Sequence, residues 1–120
     1  GVHSGKQPLL PIESRVAMIN EIFKEDEKVT CDFFEGLTVD FCKKVNAKYM
    51  LRGIRTAADF EYERAIAQIN KRMLKEVESV FLLTSPEHTP INSTIIRDII
   101  RNGGDAAQFL PEGVDIKKYL

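Results

Sequence analysis

The chain has 120 residues, of which 43% are apolar and 29% charged, and its formal net charge is −1. That length suits one domain burying roughly two-thirds of its unfolded surface, and the composition is that of an ordinary soluble globular protein. Near-neutrality argues against nonspecific nucleic-acid binding, which needs a basic face. No apolar run approaches the ~18 residues of a membrane span, and no signal-peptide pattern opens the sequence.

Gly1 to Leu10, G-V-H-S-G-K-Q-P-L-L, reads as a loop punctuated by Gly, Ser and Pro. Ile12 to Glu25 reads as a helix, because Ile12, Val16, Ile19, Ile22 and Phe23 recur at helical spacing and Pro11 suits the first turn. Val29 to Phe34 reads as a strand of mixed pattern. After Gly36 a second helix is expected, with Leu37, Phe41, Cys42 and Val45 inward. Cys31 and Cys42 lack metal-ligand spacing and sit in apolar contexts, so both read as small buried hydrophobes in a reducing cytoplasm.

Lys48 to Asn70 carries the most information. Tyr49, Met50 and Leu51 form a brief apolar run, the pattern of a strand covered on both faces. Gly53 breaks that run and predicts a tight turn bearing Arg52 and Arg55, or a close approach by a ligand. Thr56 followed by Asp59 fits a capping box, so a helix is expected to begin at Thr56 or just after it. Phe60, Ile66, Ile69 and Met73, with Ala67 and Asn70, then share one face. Ser79 to Leu83 reads as a second buried parallel strand, Thr84 to Asn92 as a loop, and Ser93 to Arg101 as a helix with Asn92 or Ser93 as its cap. Gly103 and Gly104 predict a left-handed exit, and Asp115 to Leu120 a final short helix.

Alternating strands and helices define an α/β fold whose parallel sheet includes residues near 29–33, 49–52 and 79–83. In such sheets ligands bind beyond the carboxyl ends of the strands, where helix N-termini favour anions. Arg52 and Arg55 therefore fit a phosphate site; they equally fit surface pairs with Asp59, Glu61 or Glu63, and spacing alone leaves both open. His3 and His88 are the only histidines, and neither sits in a catalytic-looking cluster.

The string L-R-G-I-R-T-A-A-D-F-E-Y-E resembles the R-G-L-R-x-x-x-D-F-E-Y-E signature of bacterial phosphopantetheine adenylyltransferases. Three further segments resemble the same family in its order: S-G-K-Q-P-L the S-x-K-K-P-L/M-F loop, F-F-E-G-L-T-V-D-F the F-x-G-L-x-x-D-F segment, and P-E-H-T-P-I-N-S-T-I-I-R the P-x-x-x-x-x-I-S-S-S-x-(I/V)-(R/K) segment. The tail G-G-D-A-A-Q-F-L-P-E-G-V is similar to the family's as well. Gln7 stands where a second lysine is frequent, and Asn92 where serine is usual.

The resemblance implies a Rossmann-like nucleotidyltransferase domain over residues 1–120, with parallel sheet and flanking helices. It also implies that the family's first strand–helix unit, with its T-x-G-H-type motif and transition-state histidine, lies ahead of this chain and is missing from it. The implied reaction belongs to coenzyme A biosynthesis: AMP passes from ATP to 4′-phosphopantetheine, giving dephospho-coenzyme A and pyrophosphate. By the resemblance, Lys6 and Arg52 hold the acceptor phosphate and Thr38 touches the pantetheine arm. Gly53, Ile54 and Arg55 contact ATP, Glu63 hydrogen-bonds its sugar, and His88, Thr89, Pro90, Ile91, Asn92, Ser93 and Thr94 wrap the triphosphate. Mg²⁺ rides on the ATP phosphates, with no protein cage of its own and no metal-ligating residue. Coenzyme A is the implied feedback inhibitor, the assembly a homohexamer and the compartment the cytoplasm, with neither nucleic acid nor membrane as partner. No catalytic residue is expected within this chain, and the fragment alone is expected to be inactive.

Two other readings stand beside this one. The chain, as a polypeptide, is a nucleotide- or coenzyme-A-binding module without activity; or it is a related nucleotidyltransferase with another acceptor. The latter is opposed by the D-F-E-Y-E string and the tail. A helix-turn-helix over Ile91 to Asn102 fits the pattern but not the charge.

Overall fold

The computed structural model describes residues 1–2 and 8–120. The chain divides into two compact units, one formed by Gly36–Pro90 and the other by Gly1–Glu35 with Ile91–Leu120.

The first unit holds helix α1 (Thr38–Lys44), strand β1 (Tyr49–Ile54), helix α2 (Ala57–Met73), strand β2 (Glu78–Leu83) and a 3₁₀ turn at Pro86–His88. β1 and β2 pair in parallel, with Leu51 opposite Val80 and Ile54 opposite Leu83, as the α/β expectation requires. Paired residues share a face. Met50, Arg52 and Ile54 therefore lie with Ser79, Phe81 and Leu83 on the side that α2 approaches, where Phe60 meets Phe81 edge-on at 5.9 Å. Ile54 and Val77 are buried there.

The helix over α2 begins as its sequence says: Thr56 is the cap, and its Oγ1 accepts the Asp59 backbone N–H at 3.1 Å. Two expectations fail. β1 is not covered on both faces, since Tyr49 and Leu51 are 68% and 64% exposed; two strands about 5 Å apart, with one helix, cover only one side. For the same reason the face of Phe60, Ile66, Ile69 and Met73 stays exposed. Gly53 does not break the strand. It lies inside β1, has no positive φ, and a Cβ built there would meet nothing within 4 Å.

In α1 the inward residues are Val39 and Cys42, both nearly fully buried, whereas Leu37 and Val45 are about half exposed. The inner face is thus displaced from the expected one: Leu37 is the N-cap, not a helical residue, and Val39 lies three residues before Cys42 on one face.

In the second unit, α3 (Ile12–Ile22) ends at Phe23, short of the expected Glu25. Asp26 then draws the chain into turns by accepting the Lys28 backbone N–H at 3.0 Å. Pro11 sits at the N-cap rather than within the first turn. No strand forms over residues 29–34. A strand needs a ladder, and this stretch shows an isolated bridge instead: Val2 donates to the Phe34 carbonyl at 2.8 Å and pairs with Glu35. Asp32 meanwhile takes the Phe33 N–H. Cys31 is half-buried rather than buried, and both cysteines are free thiols.

Helix α4 (Ser93–Arg101) has the expected bounds, and Gly103 leaves it at φ +75°. Gly103 donates to Ile100 and Gly104 to Ile99, the two bonds of a Schellman exit. A short turn, Ile116–Tyr119, packs near α3 through the Tyr119 hydroxyl, which donates to Glu21 and so keeps its proton to higher pH than usual. No helix among the described residues is long and apolar enough to cross a membrane.

Candidate functional site

β1 ends at Ile54 and β2 at Leu83, and two residues separate β1 from the start of α2. Around this corner lies a cavity of about 440 Å³ lined by Ile54, Arg55, Thr56, Phe60, Phe81 and Leu83. Parallel pairing brings both carboxyl ends to one edge, so the cavity stands where open α/β sheets place ligands. Its walls are apolar except for the Arg55 guanidinium and the first turn of α2.

Both arginines of the central string are engaged. Arg52 Nε donates to Glu63 Oε2 at 2.9 Å and Nη2 to Oε1 at 2.6 Å. Arg55 Nε donates to Asp59 Oδ2 at 3.0 Å and Nη2 to Oδ1 at 3.3 Å, while the Arg55 backbone N–H also reaches Oδ2 at 3.1 Å. The surface pairs weighed from the sequence therefore exist, and they do not exhaust the cations. A guanidinium has five N–H donors in a fixed fork. Each carboxylate takes the side-on pair, one from Nε and one from Nη2, and among the described residues nothing takes the end-on pair of Nη1 and Nη2. That edge matches a phosphate's two oxygens. The Glu63 hydrogen bond raises the Arg52 pKa further, and the Arg55 hydrogen bond holds the Asp59 carboxyl below its ordinary range.

The other expected residues are placed as follows. Thr38 is the exposed first residue of α1. Gly53 lies on the uncovered sheet face. His88 is exposed, with its backbone N–H on the Ser85 carbonyl, and the Thr89 hydroxyl donates to the same carbonyl at 3.4 Å. Pro90 is exposed and Ile91 half-buried. Lys6 lies outside the described residues. In the second unit, Asn92 Oδ1 accepts the N–H groups of Thr94 and Ile95 at 3.1 and 3.0 Å, so this departure from the family's serine still caps α4.

Two residues escaped the sequence reading. Asp59 was read as the capping-box partner of Thr56 and as a pairing partner, yet it fastens both the backbone and the side chain of Arg55. Arg97 extends back along α4 and donates to Ser93 Oγ at 3.4 Å and Thr94 Oγ1 at 3.2 Å, although the first turn of α4 holds no acid. The signals were present as i,i+4 and i,i+3 spacings. Among the described residues no three His, Cys, Asp or Glu side chains gather as a metal site.

Cationic forks in the β1–α2 segment, beside the capped start of α2, have the donor geometry that phosphate groups take. The chain belongs to the cytidylyltransferase-like family, whose model matches residues 1–99. Within it, the chain belongs to the phosphopantetheine adenylyltransferases. It is 46% identical over 117 residues to the phosphopantetheine adenylyltransferase of Flavobacterium psychrophilum, and 44% identical over 116 residues to that of Phocaeicola vulgatus. These matches cover 98% and 97% of this chain and 77% and 76% of the two relatives, so the chain spans about three-quarters of their length.

Proposed function

We propose that this chain binds ATP and 4′-phosphopantetheine for transfer of AMP between them, giving dephospho-coenzyme A and pyrophosphate. The observation that carries this reading is the pair of guanidiniums in the β1–α2 segment, each held side-on by a carboxylate with its end-on edge open. An oxygen of the acceptor phosphate bonds to the α-phosphorus of ATP. The bond to the bridging oxygen breaks, and pyrophosphate leaves with the electron pair. Such chemistry is carried by positioning and by cations where negative charge grows.

In this reading Arg52, with Lys6, takes the acceptor phosphate, and Thr38 meets the pantetheine arm. Arg55 takes ATP, with Gly53 and Ile54 beside it. Glu63 keeps lone pairs for a ribose hydroxyl after serving Arg52, because a carboxylate has about four acceptor sites. Residues 88–94 receive the triphosphate, with Asn92 setting the start of α4 through the Thr94 and Ile95 N–H groups and Arg97 adding a cation behind the Ser93 and Thr94 hydroxyls. The donor set at Arg52 and Arg55 suits phosphate oxygens rather than a bare metal, since the nearby carboxylates are already spent on arginine. Mg²⁺ would therefore enter on the ATP phosphates and neutralise charge there.

We further propose a cytoplasmic homohexamer, with coenzyme A as feedback inhibitor. Two free thiols and the exposed apolar residues of β1 and β2 support a reducing compartment and self-association. Sedimentation at micromolar concentration should give one species near six times the protomer mass.

The functional test follows pyrophosphate release from ATP by the natural polypeptide that carries this chain. Release should require 4′-phosphopantetheine and fail with nicotinate mononucleotide. Release with the latter alone would overturn the reading.

A further inference from the structure

We infer that Asp59 is a positioning residue that presents the Arg55 guanidinium to ATP; this rests on the nucleotide reading given above. Asp59 lies in the first turn of α2 and closes two rings on Arg55. Its Oδ2 takes both the backbone N–H and Nε, and its Oδ1 takes Nη2. Its own backbone N–H is held by the Thr56 cap. The carboxylate is thus anchored to the helix start, and through it the arginine is fixed in the wall of the open cavity that it lines. The side chains of Arg55 and Asp59 are 37% and 26% exposed, so this pair is partly shielded from water.

Two physical effects of Asp59 on an incoming triphosphate have opposite signs. As a negative charge, it opposes the anion and cancels part of the arginine's attraction. As a clamp, it removes the rotamer freedom of a long side chain before the ligand arrives, so less freedom is lost on binding. The clamp holds the side-on pair and leaves the end-on pair of donors aimed away from it, which is the geometry a phosphate needs. Three hydrogen bonds from one carboxylate to one residue make the clamp the larger effect.

The opposite signs make the experiment decisive. Binding of ATP, adenosine and 4′-phosphopantetheine is measured by calorimetry on the natural polypeptide that carries this chain, for wild type, Asp59→Asn, Asp59→Glu and Arg55→Ala. Asp59→Asn should weaken ATP about tenfold despite raising the local positive charge, and leave adenosine and 4′-phosphopantetheine unchanged. Asp59→Glu, which keeps the charge on a longer arm, should fall between. In an Arg55→Ala background Asp59→Asn should add nothing. A merely structural pair would move adenosine together with ATP. Unchanged or tighter ATP binding in Asp59→Asn, with Arg55→Ala still weakened, would overturn the positioning role and leave the nucleotide reading standing. If Arg55→Ala itself binds ATP as wild type does, both fall. Should Asp59→Asn fail to fold, Asp59→Glu with wild-type affinity for ATP would overturn the role.

Discussion

Helices α2 and α4 start in the same way, with a side-chain oxygen on the backbone: Thr56 Oγ1 accepts from Asp59, and Asn92 Oδ1 accepts from Thr94 and Ile95. They differ in charge. The first turn of α2 holds Asp59, which offsets both the positive helix end and the neighbouring Arg55. The first turn of α4 holds no acid, and Arg97 brings a further cation to the Ser93 and Thr94 hydroxyls. A positive group near a positive helix end is unfavourable by roughly 0.3–1 kcal/mol. One end is therefore complete without a ligand and keeps its arginine aimed; the other is left in want of an anion. Pre-organisation and unmet charge are separate routes to phosphate binding, and under the proposed function each unit offers one of them.

The largest expected effect that separates the two ends is on ATP affinity. Arg55→Ala removes a pre-aimed fork and should weaken ATP by about ten- to a hundredfold. Lysine at that position should restore only part, because an ammonium has no planar fork. Arg97→Ala should weaken ATP less, by about three- to tenfold, and should also stabilise the ligand-free protein by up to ~1 kcal/mol in urea unfolding. A loss of stability in Arg97→Ala would break the contrast.

Next in size are the caps. Asn92→Ala and Thr56→Ala should each cost about 1 kcal/mol of stability in the unit concerned. They differ with ligand: excess pyrophosphate should offset Asn92→Ala more fully than Thr56→Ala, since losing Asn92 frees the Thr94 and Ile95 N–H groups for an anion at a helix start without an acid, whereas Thr56→Ala frees the Asp59 N–H beside a carboxylate. Equal rescue of both, read from urea midpoints, would erase the distinction.

The legible parts of the fold were those in which local chemistry decides the outcome. Thr56, Asn92 and the Gly103–Gly104 exit act within one turn of backbone, and each appears at its expected place. The apolar strands at 49 and 79 were legible for the same reason, and so was their parallel pairing, because α2 must cross between them. Residues 29–34 were not, since a strand depends on a partner far away in sequence, and the pairing seen beside this stretch is the isolated bridge of Val2 to Glu35. Burial was misread along β1 because an apolar side chain does not say whether another layer covers it. At the site, Arg52 and Arg55 were named from their place between strand and helix, and the family string divided them between substrates and added Glu63; neither says how the cations are aimed. That depends on which donors each carboxylate takes, and a sequence does not encode it openly.

The smallest effect is on pH. Arg55 holds the Asp59 pKa below its ordinary 3.8, so the pair stabilises the fold above that value and the contribution is lost as pH falls through the lowered one. Asn at position 59 cannot titrate. The stability gap between wild type and Asp59→Asn should accordingly be widest near neutral pH and close as pH is taken below about 3.8. A gap that widens in acid would contradict the hydrogen bonding described for this pair.

The central claim is that two arginines three residues apart serve two different substrates. Calorimetry with ATP and with 4′-phosphopantetheine, on Arg52→Ala and Arg55→Ala in the natural polypeptide that carries this chain, tests it most directly. A crossed result is expected: Arg52→Ala loses about ten- to a hundredfold for 4′-phosphopantetheine and little for ATP, and Arg55→Ala the reverse. If each variant weakened both ligands equally, or neither moved beyond a few-fold, the division of labour would be contradicted and the two cations would be no more than partners for Glu63 and Asp59.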